Sequence, residues 1–532
     1  MIPETVEILR DRFGPSYRWL VTVTAMVGTM SMVISMTSVN VAVPDVMGAF
    51  GIGQDTAQWL STAYLATMTA GMLVNAWLVS IFGERRVFLA ALVIFMIGAG
   101  LSGLAPNIDL LIFGRVMQGG AAGILQPLAM ATIFMAFPPE RRGTAMGYFG
   151  LGVVFAPAIG PTLGGVMIDL FSWRAIFYVP IPFCLTAFLL GSIFMPSRAW
   201  PSRLPRFDGL GFTLLCTALF CLLSGIANGQ REGWSADIIV GVLSLGILAT
   251  AVFIVGEHMT KTPLLDMGLF RNPSFVASAF VKFVFGAGLT GSTYIVPVFV
   301  QTIQGYTPLR AGLMMMPAGI LLAFVFPLAG RISDQVPAHY PVIGGLIVFT
   351  LSFALTGFAD VNTPFWTFVA FTILGRLGLG FVNPVLNAHA LKALPPEQVR
   401  QGAGASNFLR QLGGAFGVNG LVAFLESRTR FHADALTATQ TFANETSREM
   451  MIILEGVYAQ AGVSETIQQP GALYFLGQVV YAQGNSMGFQ DAFFAVAVIG
   501  ALALIPAWIM SRAGHGSPVA SHAVPSPARD AA

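Results

Sequence analysis

Apolar runs, separated at short intervals by clusters of charge, proline and glycine, organise this chain from end to end. Runs of about 20 mostly apolar residues cross a bilayer as one helix. They fall at 19–44, 56–82, 87–108, 110–137, 143–168, 175–197, 209–230, 238–256, 273–302, 311–330, 340–359, 363–390, 401–425 and 492–511. The pattern predicts an all-α membrane protein with 14 transmembrane helices. An even number returns both termini to one side. The loops of one side, with the termini, hold 17 Lys and Arg and those of the other hold 6, so the positive-inside rule places both termini in the cytoplasm. The longest polar interval, 428–490, then lies outside, as a loop with amphipathic helices expected near 447–460 and 472–482. Residues 1–18 read as a cytoplasmic N-terminus, and 512–532, rich in Ser, Pro, Ala and His, as a disordered tail.

Composition narrows the class further. The 532 residues are 55% hydrophobic and 10% charged, with a mean hydropathy of +0.74, whereas soluble domains carry about 25% charged residues. A net charge of +2 gives no nucleic acid a footing. The three cysteines all lie in apolar stretches, and no cluster has metal-ligand spacing, so neither a disulfide set nor a metal or other cofactor is expected. No Walker-type phosphate loop is present, which excludes an ATP-driven motor.

An internal repeat sets the architecture. Phe137-Pro138-Pro139-Glu140, followed by Arg142 and Gly143, recurs as Leu394-Pro395-Pro396-Glu397, followed by Arg400 and Gly402. Upstream, Ile112-Phe113-Gly114-Arg115 is echoed by Ile373-Leu374-Gly375-Arg376. The two matches align spans 1–6 with 9–14. This divides the chain into an N-terminal six-helix half (19–197), a linker with two extra spans (198–272) and a C-terminal six-helix half (273–511). Halves of equal orientation place a substrate site at their interface.

Residues 156–165 read APAIGPTLGG inside a stretch, 143–168, that lacks any charged side chain. Ala156, Gly160 and Gly164 strip one helix face bare for close packing. Pro157 and Pro161 each remove a hydrogen bond, and Gly165 closes the motif. This segment, LIFGRVMQGG (111–120), NVAVP (40–44), Gln58-Trp59 with Tyr64, and GAGASNFLRQLGGAFGV (402–418) together resemble the fourteen-span drug:proton antiporters of the major facilitator superfamily, the EmrB/QacA type. The resemblance covers nearly the whole chain. It implies a major facilitator fold, alternating access, proton antiport, an inner-membrane location, and in some relatives hand-over to a periplasmic adaptor and an outer-membrane channel. It also marks Gly83, Arg85 and Arg86, and in the repeat Gly330, Arg331 and Asp334, as cytoplasmic gating loops.

The chain departs from that pattern twice. Relatives commonly carry an acid in the first span where this chain has Ser35, and an aspartate in the loop after span 2 where it has Ser80. Asp334 keeps the second acid in the repeat, so a latch between halves is expected on one side only. The intramembrane ionisable residues are Arg115, Lys282, Arg376 and Arg410, all basic. Such residues mark function by default. Arg115 and the peripheral Asp45 are the proton-coupling candidates. Lys282 reads either as a snorkelling cation or as a substrate contact. Ser35, Asn40, Tyr64, Gln118, Gln126, Tyr294, Gln301, Asn383 and Asn387 complete the substrate-cavity candidates. Buried cations without buried acids predict a cavity suited to anionic amphiphiles. The reading is a secondary active efflux transporter, with no enzymatic activity, whose partners are a small molecule, protons and the bilayer. An exporter dedicated to an endogenous acidic metabolite, lipid or siderophore is the alternative within the class, and a non-transporting receptor the alternative outside it.

Overall fold

The computed structural model describes residues 5–513 except 53, 58, 199–205, 261, 262 and 442. Gln58 and the tail beyond 513 therefore lie outside the described residues, as do the side chains of Asn40, Ala156, Pro157 and Pro161. Among the described residues, 13 helical segments are long and apolar enough to cross a membrane. Arg142–Leu170, a helix of 29 residues, lies at the place of the expected fifth span.

The first group comprises α1 (Tyr17–Phe50), α2 (Trp59–Phe82), α3 (Glu84–Gly103), α4 (Ile108–Ala136), α5 (Arg142–Leu170) and α6 (Ile181–Phe194). A pair follows, α7 (Gly209–Glu232) and α8 (Asp237–Met259). The last group comprises α9 (Pro273–Thr302), α10 (Pro308–Gln335), α11 (His339–Thr356), α12 (Phe365–Lys392), α13 (Val399–Thr439) and α14 (Glu465–Leu502). Several starts are written locally. Asn107 accepts from Leu110 N at 2.9 Å ahead of α4, and Asn272 accepts from Ser274 N at 3.0 Å ahead of α9, where Pro273 has no N–H to lose.

Packing follows the repeat in detail. In the first group α2 packs on α4, α3 on α4 and α1 on α5; in the last, α10 packs on α12, α11 on α12 and α9 on α13. Ser102 of α3 donates to Leu111 O of α4 at 3.4 Å, and Ser352 of α11 donates to Phe371 O of α12 at 2.7 Å. The groups meet through α5 against α10 and α2 against α13, while α7 and α8 pack on each other and α7 reaches α2 and α13.

The glycine-rich segment 402–418 explains the tight α9–α13 seam. A Cβ at Gly413 would collide with Phe283 O, and one at Gly286 with Arg410 O. Gly413→Val is expected to lower the thermal stability of the purified protein by about 3 kcal/mol, the upper end of overpacking costs. Gly420→Ala, where nothing lies within 4 Å, is the control that should leave the melting curve unmoved.

Three boundaries differ from the sequence reading. Span 6 begins as a 3-10 turn, Trp173–Phe177, because Pro180 and Pro182 delay the α-helix to Ile181. α1 runs on through Asp45 to Phe50. In the interval 428–490 the helix expected near 447–460 is present as Glu445–Gln460, but the flanks are not loop: α13 continues to Thr439, and the stretch 472–482 belongs to α14. Residues 426–439 contain neither Gly nor Pro to stop α13. Gly484 and Gly488 let α14 lie against Ala433 and Thr429. Asp491 pins the pair, accepting from Arg428 Nε at 2.5 Å and meeting His432 Nε2 at 2.7 Å. From Asp491 to Glu465, α14 extends about 39 Å at the helical rise of 1.5 Å per residue.

Candidate functional site

Three constellations lie between α1 and α14. The first surrounds Arg115, fully buried on α4. Its Nε donates to Leu60 O at 2.9 Å, and its Nη1 donates to Ser35 Oγ at 3.2 Å and to Gln118 Oε1 at 2.9 Å. The guanidinium lies 4.2 Å from the centroid of the Tyr64 ring, whose hydroxyl donates to Met32 O at 2.9 Å. One cation therefore ties α4 to α1 and α2. In the last group Arg376 Nη2 donates to Thr293 Oγ1 at 2.7 Å. The repeat thus pairs an arginine of the fourth helix with a hydroxyl of the first helix in both groups, and neither copy has an acid there.

The second constellation is a polar layer on the α9–α13 seam. Lys282 is 1% exposed, and its Nζ has no hydrogen-bond partner among the described residues. Its charged neighbour is Arg410 of α13. Arg410 Nη2 approaches Gln126 Oε1 of α4 at 3.5 Å, across the two groups. Asn407, one turn earlier on α13, donates to Met130 Sδ at 2.9 Å. Counted along the helices, Lys282, Arg410 and Gln126 lie about 14, 17 and 15 Å from the helix ends on the face that carries the chain termini, so they share one layer.

The third constellation closes that terminal face. Asp334, at the end of α10, accepts from Gly143 N at 2.6 Å, from Thr144 N at 2.8 Å and from Thr144 Oγ1 at 2.8 Å. It thereby caps α5, where orphan amides and the helix dipole favour a carboxylate. Lys392 of α12 adds an ion pair at 3.1 Å. Gly143 and Gly147 face Gly330 and Phe326, so that α5 and α10 touch backbone to backbone. On the other side Glu84, 4% exposed, accepts from Arg400 at the start of α13. The single latch expected from the sequence is therefore incomplete. Ser80 turns back on its own helix, donating to Trp77 O, and Glu84, the first residue of α3 after the Gly83 turn, supplies the carboxylate.

Other sequence candidates are dispersed. Gly160 and Gly164 seat α5 on Thr37 and Ser38 of α1, while nothing lies within 4 Å of a Cβ on Gly165. α5 stays helical through Pro157 and Pro161. Gly83 has φ +76° and packs on Arg198, and Arg85 Nε donates to Met195 O at 2.7 Å, so both hold α3 to the end of α6. Arg86 and Arg331 are exposed. Asp45 is exposed near the far end of α1. Tyr294 is 43% exposed on α9, and Gln301 Nε2 donates to Pro297 O within the same helix. Asn383 and Asn387 are buried on α12, the former with its Oδ1 unpartnered among the described residues.

Two pseudo-symmetric groups of six helices, closed on each other at one face, form the frame. The sequence matches the profile of the Major Facilitator Superfamily over residues 25–418. The chain belongs to the Major Facilitator Superfamily. It is a multi-pass membrane transporter, not an enzyme. Within the superfamily it is 31% identical over 391 residues to the multidrug resistance protein B homolog of Mycobacterium tuberculosis strain H37Rv, covering 72% of each chain. It is 30% identical over 394 residues to the multidrug transporter protein MdtP of Bacillus subtilis, covering 74% of this chain and 72% of that one. YhcA of Bacillus subtilis, an uncharacterized transporter of the same superfamily, is 29% identical over 474 residues, 88% of each chain. Among solved structures, the human organic anion transporter MFSD10 superposes with a TM-score of 0.61 at 13% identity over 92% of this chain and 99% of that one. The proton:xylose symporter XylE gives 0.59 at 14% identity over 93% and 95%. At such identities the likeness is one of fold.

Against this facilitator frame, sequence reasoning passed over Glu84, Arg400 and Thr293. A signal existed for each. Glu84 is an acid four residues after the missing one, Arg400 is the repeat partner of Arg142, and Thr293 follows Ser35 by 258 residues, close to the 257 that separate Phe137 from Leu394.

Proposed function

We propose that the chain is an inner-membrane exporter of amphiphilic, anionic small molecules that works by alternating access, with the terminal face in the cytoplasm. The observation that carries this reading is the clustering of contacts between the two groups on that face. Asp334 with Gly143 and Thr144, Glu84 with Arg400, and Arg410 with Gln126 all lie within about 17 Å of it. Such a distribution fits a state closed to the cytoplasm, from which rocking of α1–α6 against α9–α14 would break the two latches. The relatives named for multidrug resistance and transport support efflux of amphiphiles, and the bias of Lys and Arg supports the orientation.

Proton antiport, implied by the resemblance, is the second reading. What favours it is the 3.2 Å contact of Ser35 with Arg115, which keeps the geometry of an acid–arginine pair with the acid removed. Everted vesicles with an imposed pH gradient and clamped potential separate the two. We expect wild-type efflux to be unmoved by the gradient, and Ser35→Asp to acquire a response to it. A wild-type response would establish antiport that needs no first-span acid.

A further inference from the structure

We propose that Lys282 and Arg410 seat the anionic group of the transported molecule, and that the membrane potential, without counter-moving protons, drives its export. The inference rests on the exporter reading and deepens it by naming the chemistry of the site and the source of energy.

Lys282 presents an amino group with no hydrogen-bond partner among the described residues, at 1% exposure and near the middle of the bilayer. A basic group buried there is costly, and a second one, Arg410, lies on the same seam, its carbonyl packed against Gly286 one turn after Lys282. The buried acids among the described residues are Glu84 and Glu257, both at the terminal face. Glu84 is taken by Arg400, and Glu257 accepts from Leu265 N at 3.2 Å. Among the described residues, therefore, no buried carboxylate neutralises the pair. Among the described residues, the hydrogen bond that holds the Arg410 side chain across the groups is the long 3.5 Å contact to Gln126, so rocking frees its guanidinium for a ligand. A carboxylate or sulfonate placed between an ammonium and a guanidinium gains charge-assisted hydrogen bonds from both.

The energetics follow from the charges. Export needs no proton if the substrate carries a negative charge outward, because an inside-negative potential favours that movement. At 100 mV the equilibrium accumulation is about 50-fold, from about 2.3 kcal/mol per charge.

The test uses the purified full-length protein and three matched probes: pyrenebutyrate, its uncharged methyl ester, and a pyrenebutyl trimethylammonium. Wild type is expected to bind the carboxylate at least about tenfold more tightly than either of the others. Lys282→Gln and Arg410→Gln should each remove that preference while leaving ester affinity unchanged, which reports an intact fold. Lys282→Arg should restore most of it. Equal affinities in wild type, or an unchanged preference in Lys282→Gln, overturns the site. In proteoliposomes, a potassium-valinomycin potential should drive pyrenebutyrate accumulation, whereas a pH gradient at clamped potential should not. Accumulation that follows the pH gradient overturns the drive. If no probe is moved while the carboxylate preference holds, the exporter reading fails and the site stands.

Discussion

Asp334→Asn is expected to slow transport at least about tenfold and to open the terminal face. The carboxylate accepts three hydrogen bonds at the start of α5, two of them from backbone amides. Bonds to a charged group contribute about 1.5–3 kcal/mol each. An amide keeps one acceptor oxygen and turns an NH2 group towards the α5 amides, so a net loss of about 3 kcal/mol is expected. That amount moves a two-state equilibrium by more than about a hundredfold. Ala145 is fully buried directly beneath the latch. A cysteine placed there, after replacement of Cys184, Cys216 and Cys221, should resist a membrane-impermeant maleimide in the latched protein and react once Asp334 is changed. Unchanged protection would show that this contact does not hold the face shut. The second latch makes a contrasting prediction. Glu84 meets a side chain, so exchanging Glu84→Arg with Arg400→Glu should recover much of the activity that either single change removes. No such exchange restores Asp334, two of whose four partners are main-chain amides.

Much of this frame was legible because lipid leaves a helix few alternatives: each crossing must satisfy its own backbone, and an apolar run of fixed length announces it. The repeat was legible through Arg115 and Arg376, and through the paired Pro-Pro-Glu turns. The legibility ended where polar residues continue a helix into water. Nothing in 426–439 is apolar enough to signal a span, yet nothing there breaks α13, and glycines 484 and 488 on a distant helix decide that it continues as half of a packed pair. The site divides in the same way. Asp334 and Arg115 sit in motifs, so their importance could be read. That Lys282 lacks a partner, and that Glu84 replaces the acid missing at Ser80, depend on which residues lie opposite, and spacing along one helix carries no such information. Glu84 is instructive because Gly83, at φ +76°, turns the chain between them and lets a carboxylate four residues late reach α13.

Arg115→Met should cost about 3–4 kcal/mol of folding stability, and Arg115→Lys should recover less than half. The guanidinium makes two interhelical hydrogen bonds, to Leu60 O and Ser35 Oγ, and one along its own helix to Gln118. Within membranes such bonds average about 0.6 kcal/mol. The Tyr64 ring, fully buried at 4.2 Å, adds about 2 kcal/mol as a desolvated cation–π contact. Methionine fills the volume and forfeits both contributions, leaving Ser35 and Gln118 to repack. Lysine keeps the charge as a single point and cannot reach three acceptors while stacking on a ring. The measurement is a thermal melt of the purified variants in one detergent. It separates two roles for this residue, because a structural pin loses stability and transport together, whereas a group used only in the transport cycle would lose transport with its melting temperature intact. The expected loss of stability places Arg115 with the scaffold. It leaves Lys282, which no hydrogen-bonding group of the described chain satisfies, as the basic residue proposed to meet the substrate.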